Sequence, residues 1–124
     1  MPMSKILLVE DETILRETLA EILELNDFEV ITASSGLEAL EILKDTVPDL
    51  ILSDVLMPGM TGFEMMEQVK IQAQFKDVPF IFLSALTSHD DKQKGLDLGC
   101  RHFITKPFKS FEVVKLITAT LAKD

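Results

Sequence analysis

Leu50-Ile51-Leu52-Ser53-Asp54-Val55-Leu56-Met57-Pro58-Gly59 is the stretch on which the reading of the fold turns. A short apolar run ends in a carboxylate and a Pro-Gly loop follows at once, so Asp54 is delivered where a buried strand stops. Three other sets of polar groups arrive in the same way. Glu10 and Asp11 follow Ile6-Leu7-Leu8-Val9, Ser84 follows Phe80-Ile81-Phe82-Leu83, and Lys106 follows Phe103-Ile104-Thr105. If these strands run parallel, all of these groups meet at one edge of one sheet.

Segments of helical period separate the apolar runs. Leu15, Leu19, Ile22 and Asn26 share a face after the first strand, and the helix ends at Asn26-Asp27. After Val30-Ile31-Thr32-Ala33 comes a helix from Ser35 with Leu37, Leu40 and Leu43 on its apolar side, stopped by Pro48. A third helix starts near Thr61-Gly62 and presents Phe63, Met66 and Val69. The fourth, about Ser88 to Leu98, has the weakest apolar face, and the last presents Phe111, Val114, Ile117 and Leu121. The glycines are expected mainly in turns or at helix ends.

Apolar strands that do not alternate in polarity imply burial on both faces, the mark of a parallel sheet covered by helices on each side. The fold class is therefore α/β, a doubly wound five-stranded sheet. In the order 2-1-3-4-5 the winding reverses between strands one and three, and ligands bind beyond the carboxyl ends at that point. Glu10, Asp11 and Asp54 end those two strands.

The chain of 124 residues is the size of one domain, and 1–124 is read as such. Lysine and arginine number 12 against 21 acidic residues, for a net charge of −9, which argues against direct nucleic-acid binding. A single cysteine, Cys100, precludes an internal disulfide and is expected to be a small buried residue. No apolar stretch approaches the ~20 residues needed to span a bilayer, and Met-Pro-Met-Ser-Lys lacks the features of a signal peptide. A cytoplasmic location and no membrane association are the expectation, and the start at Met1 argues against a preceding domain.

Three carboxylates gathered in a crevice repel one another, so at least one should hold its proton more tightly than usual unless a cation joins them. An oxygen-only set with no neighbouring His or Cys suits Mg²⁺, for which Mn²⁺ can substitute. Lys106 adds a point positive charge and Ser84 a hydroxyl donor, so the group is equipped to bind a phosphoryl group, with one carboxylate free to attack phosphorus. Each residue also has an ordinary structural use. Glu12 reads best as an N-cap or first-turn charge, and Asp11 in part so. His89 and His102 read as surface residues.

Taken together, Glu10-Asp11, Asp54 within Ser53-Asp54-Val55-Leu56-Met57-Pro58-Gly59-Met60-Thr61-Gly62-Phe63-Glu64, Ser84-Ala85 and Lys106-Pro107-Phe108 resemble the receiver domain of two-component response regulators, over essentially the whole chain. The resemblance implies a flavodoxin-like (βα)5 fold like that of the chemotaxis receivers. It implies that Asp54 is the phosphoacceptor, charged from a sensor histidine kinase or phosphotransfer protein. By the same resemblance Asp11, Glu10, Asp54 and the Leu56 carbonyl hold Mg²⁺, Ser84 and Lys106 contact the phosphoryl group, and the Lys106-Pro107 bond is cis. Ser84 and Phe103 form the implied switch, read out by an unknown output partner on helix 4, strand 5 and helix 5. Such a domain is not an enzyme in the usual sense; it catalyses its own phosphotransfer and a slow dephosphorylation.

Several positions depart from the commoner pattern. Position 84 is Ser where Thr is frequent, and position 103 is Phe where Tyr is frequent, so a switch must act by packing. By the resemblance, Leu56 and Leu86, two residues past Asp54 and Ser84, occupy positions that flank the path of the hydrolytic water, and two apolar side chains there lead to the expectation of a long-lived acyl phosphate. Arg101-His102 stands where an acidic pair is common, and the last helix has Lys109, Lys115 and Lys123 but no arginine, which weakens the case for a charged dimer interface.

Rival functions fit less well. A haloacid-dehalogenase-type enzyme needs a second Asp where this chain has Leu56, and a flavodoxin-like or dinucleotide-binding domain needs a first turn rich in glycine or hydroxyl groups. A phosphate-independent, receiver-shaped interaction module remains the alternative, as does a receiver cut from a longer regulator or hybrid kinase.

Overall fold

The computed structural model describes residues 3–85 and 88–122. Five strands, β1 (Lys5–Val9), β2 (Glu29–Ala33), β3 (Leu50–Asp54), β4 (Phe80–Ser84) and β5 (His102–Thr105), alternate with α1 (Thr13–Leu25), α2 (Gly36–Leu43), α3 (Gly62–Lys70), α4 (His89–Leu98) and α5 (Ser110–Ala122). All pairings are parallel and the order is β2-β1-β3-β4-β5, as expected from the alternation of short apolar runs and helical segments.

The unbroken apolar character of the inner strands has a direct cause. Successive side chains of a strand point to opposite faces, and here each face has its own core. Leu7, Val9, Ile51, Phe80 and Phe82 pack with Ala39, Leu43 and the α3 residues Phe63, Met65, Met66 and Val69. Ile6, Leu8, Leu50, Leu52, Ile81 and Leu83 pack with Leu19 and Leu23 of α1 and Val113 and Ile117 of α5. The strands β3 and β4 are buried throughout.

Burial of all five strands does not hold. The edge strands β2 and β5 are only partly covered, because each has a neighbour on one side and reaches the rim of the helical layers. His102 accordingly lies half-buried in β5. Two helix faces also differ from the sequence pattern. Leu37 is 65% exposed and Phe111 66% exposed, while Ala39 and Leu43 in α2 and Val113, Ile117 and Thr120 in α5 are buried. A repeat of three falls short of the 3.6-residue turn, so its first member rotates off the core-facing stripe. In α1 the stripe centres on Leu19 and Leu23, and Asn26 lies beyond the helix as its C-cap.

Helix starts follow the chain's local chemistry. Ser35, Thr61 and Ser88 each accept a backbone N–H three residues on, and Thr61 with Glu64 forms a reciprocal capping box. Glu12 occupies the N-cap of α1, but its side chain makes no capping bond. Gly59 and Gly99 have positive φ, as turn glycines do. Gly95 differs from the expectation for glycine, since it is buried inside α4, where an added Cβ would come 3.0 Å from the Phe103 ring. Among the described residues no helix is long and apolar enough to cross a membrane.

Candidate functional site

Because β1, β3, β4 and β5 run in one direction, their carboxyl ends bring the expected groups to one edge. One ligand atom from each of Glu10, Asp11 and Asp54 lies within 4.8 Å of the others. Lys106 Nζ donates to Asp54 Oδ2 at 2.9 Å and to Glu10 Oε1 at 3.2 Å. The Lys106 side chain is 22% exposed and those of Glu10 and Asp54 only 1% and 7%, so these are not the weak ion pairs of an open surface.

Asp54 is held by the chain that follows it. Oδ1 accepts the Val55 N–H at 2.7 Å and the Leu56 N–H at 3.3 Å, which leaves Oδ2 facing Lys106. The peptide after Asp54 is fixed as well: its carbonyl accepts the buried Ser53 hydroxyl at 2.8 Å, and the Gly62 N–H donates to the Val55 carbonyl at 2.8 Å. At Gly62 an added Cβ would meet the Asp54 carbonyl oxygen at 2.3 Å, so α3 can start there only without a side chain. The sequence pattern assigns neither Ser53 nor Gly62 a part in the site. A glycine directly after a Thr cap is a weak signal until the approach of the backbone is known.

Glu10 is held above the ordinary carboxylate range. Burial pushes it up to about 7; the Glu12 N–H at 3.1 Å opposes this, the Asp54 charge adds to it, and Lys106 opposes it again. Burial alone would lower the Lys106 ammonium, but its hydrogen bond and charge interaction with Asp54 and those with Glu10 outweigh burial and leave it raised. Asp11 is exposed, as is Leu56 at 49%. Arg16, which the sequence pattern does not mark, donates from Nη1 to the Glu10 carbonyl at 2.8 Å and, at the limit of a hydrogen bond, to the Asp11 carbonyl at 3.5 Å.

Ser84 is fully buried at the end of β4, in register with Thr105, and its carbonyl accepts the Lys106 N–H at 2.7 Å. The Lys106-Pro107 peptide is cis. Phe103 pairs with Phe82 across the sheet and lies 6.4 Å, centroid to centroid, from both Phe63 and Phe82. It is half-buried. Leu86 lies outside the described residues. Cys100 is buried, as expected, and burial pushes its thiol up to about 11.

The donor set fits a hard divalent cation. The three converging groups are all carboxylates, two of them buried, and among the described residues their mutual repulsion is offset by Lys106 and by the backbone N–H groups that Glu10 and Asp54 accept. A cation of this class would relieve that repulsion.

Comparison with known proteins agrees with this arrangement. A family model for the response regulator receiver domain matches residues 6–118. The phosphate regulon transcriptional regulatory protein PhoB of Pseudomonas aeruginosa is 37% identical over 118 residues, covering 95% of this chain and 52% of that protein. The transcriptional regulatory protein CpxR homolog of Haemophilus influenzae is 39% identical over 122 residues, covering 98% and 52%. The chain thus spans about half the length of the curated relatives it matches. Among solved structures, the chemotaxis response regulator CheY4 of Vibrio cholerae aligns with a TM-score of 0.89 at 37% identity, covering 94% of this chain and 98% of that one. The receiver domain of a signal transduction histidine kinase from Syntrophus aciditrophicus aligns with a TM-score of 0.89 at 36% identity, covering 97% and 91%. With the sheet order, the acidic edge and these likenesses in agreement, the chain belongs to the response regulator receiver domain family, the phosphoacceptor modules of two-component signalling.

Proposed function

We propose that Asp54 is the phosphoacceptor, charged from a phosphohistidine on a sensor histidine kinase or phosphotransfer protein. The observation that carries this reading is the convergence of Lys106 and three carboxylates on one sheet edge, with Asp54 held by the backbone through one oxygen and facing Lys106 through the other. In the transfer, an Asp54 oxygen forms a bond to phosphorus as the P–N bond of the donor breaks. The electron pair leaves with the imidazole nitrogen, and the product is an acyl phosphate.

Glu10, Asp11, Asp54 and the Leu56 carbonyl would hold Mg²⁺ or Mn²⁺, which supplies positive charge against the phosphoryl oxygens. Lys106 is placed to follow the charge from Asp54 to the transferred group, because its present partner is the reacting carboxylate itself. No step requires a second protein catalyst, and this supports self-catalysed phosphotransfer with slow hydrolysis afterwards. A recess of about 270 Å³ lined by Leu15, Leu19, Pro107 and Phe108 adjoins Lys106 and suits an apolar helical surface on the donor.

The switch runs through Ser84 and Phe103. A dianionic group on Asp54 gives the Ser84 hydroxyl a strong acceptor. Its movement makes room for Phe103 to pack further inward from its half-buried position against Phe63 and Phe82. Gly95 of α4 rests on the Phe103 ring, so the change reaches the face made by α4, β5 and α5, where the output partner binds. The output is protein binding without direct nucleic-acid contact, in the cytoplasm, and residues 1–124 act as one receiver unit.

The test is incubation of the purified chain with Mg²⁺ and acetyl phosphate, followed by intact-mass analysis of wild type and Asp54→Ala. A Mg²⁺-dependent gain of one phosphoryl group in wild type alone is the expected result. No gain in wild type would leave only a phosphate-independent module of the same fold.

A further inference from the structure

Between Lys5 and Lys44 every charged residue is acidic except Arg16. A lone cation in such a stretch has one carboxylate at helical spacing, that of Glu12 four residues earlier. It does not use it. Among the described residues Arg16 makes no ion pair, and its Nη1 is directed to two backbone carbonyls, those of Glu10 at 2.8 Å and Asp11 at 3.5 Å. The Arg16 backbone N–H donates to the Glu12 carbonyl at 2.9 Å, so three consecutive carbonyls of the acidic turn are gathered by one residue of α1.

The two carboxylates of that turn are held unequally. Glu10 has the Glu12 N–H on one oxygen and Lys106 on the other. Asp11 is exposed, and among the described residues its carboxylate has no hydrogen-bond partner. The direction in which Asp11 points therefore depends on its backbone, which Arg16 restrains from the helix side while the Glu10 carboxylate holds the Glu12 N–H.

We infer that Arg16 is a positioning residue for the acidic cluster. It holds the turn of residues 10 and 11 so that both carboxylates converge with Asp54 on a divalent cation, without itself touching the cation or the phosphoryl group. This rests on the reading of the cluster as a divalent-cation site. Groups that orient ligands from behind typically change metal affinity by about 10–100-fold when removed.

Charge and geometry make opposite predictions here. Loss of a positive charge beside an anionic cluster should, by Coulomb's law alone, tighten the binding of a cation. Loss of the clasp should weaken it.

The experiment measures Mn²⁺ binding to the full chain by the paramagnetic resonance signal of free Mn²⁺, with Mg²⁺ as competitor, for wild type, Arg16→Met and Arg16→Lys. Thermal unfolding without metal is recorded alongside. The expected result is a fall in affinity of about tenfold or more for Arg16→Met and a smaller fall for Arg16→Lys, which keeps the charge but lacks the planar fork. Unchanged or tighter binding by a folded Arg16→Met overturns the inference, whatever its melting temperature. Should Arg16→Met fail to fold, Arg16→Lys decides: a loss of severalfold supports the clasp, and wild-type affinity overturns it. Wild type that binds no Mn²⁺ overturns the cation-site reading itself, and the inference with it.

Discussion

Lys106 Nζ lies 2.9 Å from Asp54 Oδ2, across 52 positions of the chain, and the same ammonium lies 3.2 Å from Glu10 Oε1. One cation thus joins the ends of β1, β3 and β5. In the unphosphorylated protein it neutralises the carboxylate proposed as the phosphoacceptor, and on phosphorylation there it would neutralise what that carboxylate gains.

Lys106→Met should therefore have two separable effects. Labelling by acetyl phosphate should slow by about 100-fold, the scale expected when one fixed positive charge is removed from a reacting centre. The metal-free fold should lose about 1–3 kcal/mol, because two buried carboxylates are left without their counter-charge. Intact-mass time courses and urea unfolding measure the two; labelling at the wild-type rate would remove Lys106 from the chemistry.

Gly62→Ala tests the backbone beneath Asp54. With the Asp54 carbonyl oxygen 2.3 Å from the position of a new Cβ and the Phe82 ring and Val55 Cα each at 3.1 Å, either α3 or the strand end must move. A stability loss of about 2–4 kcal/mol is expected, together with slower phosphorylation, because the displaced atoms belong to the proposed phosphoacceptor. Urea unfolding that superimposes on wild type would show that the loop absorbs the methyl group.

The raised Glu10 carboxyl makes a pH prediction for the metal-free protein. With a folded value of about 7 against an ordinary 4.5, the folded state binds more protons than the unfolded state between those values. Stability therefore falls as pH rises through that window, by on the order of 2–3 kcal/mol, and levels off above about 7. Glu10→Gln should flatten the slope. Saturating Mg²⁺ should also flatten it, by favouring the ionised form. Urea midpoints from pH 5 to pH 8 supply the measurement, and a flat wild-type profile would count against a protonated Glu10.

Leu56 is half-exposed beside the acyl phosphate that Asp54 would form and offers water no hydrogen bond. Leu56→Asn should shorten the lifetime of the phosphorylated protein by about three- to tenfold, a modest effect because the amide only orients a water molecule. Decay of the phosphorylated mass after removal of acetyl phosphate gives the rate. An unchanged lifetime would mean that the water approaches by another route.

Cys100 should be slow to react. Its thiol is buried and pushed up to about 11, so little thiolate exists at pH 8. A disulfide reagent should label the native protein at least tenfold more slowly than the urea-unfolded chain; equal rates would mean that α4 opens readily over it.

What the chain's own order of residues reveals depends on the range of the interaction concerned. Apolar runs ending in Glu10-Asp11, Asp54, Ser84 and Lys106 determined the α/β class, the number of strands and the members of the acidic edge, because strand burial and the polarity at a strand's end are local properties written in consecutive residues. The caps at Ser35, Thr61 and Ser88 belong to the same local order. Leu37 and Phe111 were misplaced because the face of a helix that is covered depends on its neighbours and not on its own period. Likewise β2 and β5 are less buried than their composition suggested, since being at an edge is a property of the sheet. The tertiary structure alone decided that Gly62 must lack a side chain, that Gly95 rests on Phe103 and that Arg16 clasps the acidic turn. It also decided that Glu10 is held above the ordinary carboxylate range. Glu10 and Asp11 are adjacent acids in the chain, and only the packed sheet, by closing over one and leaving the other in water, makes them chemically different.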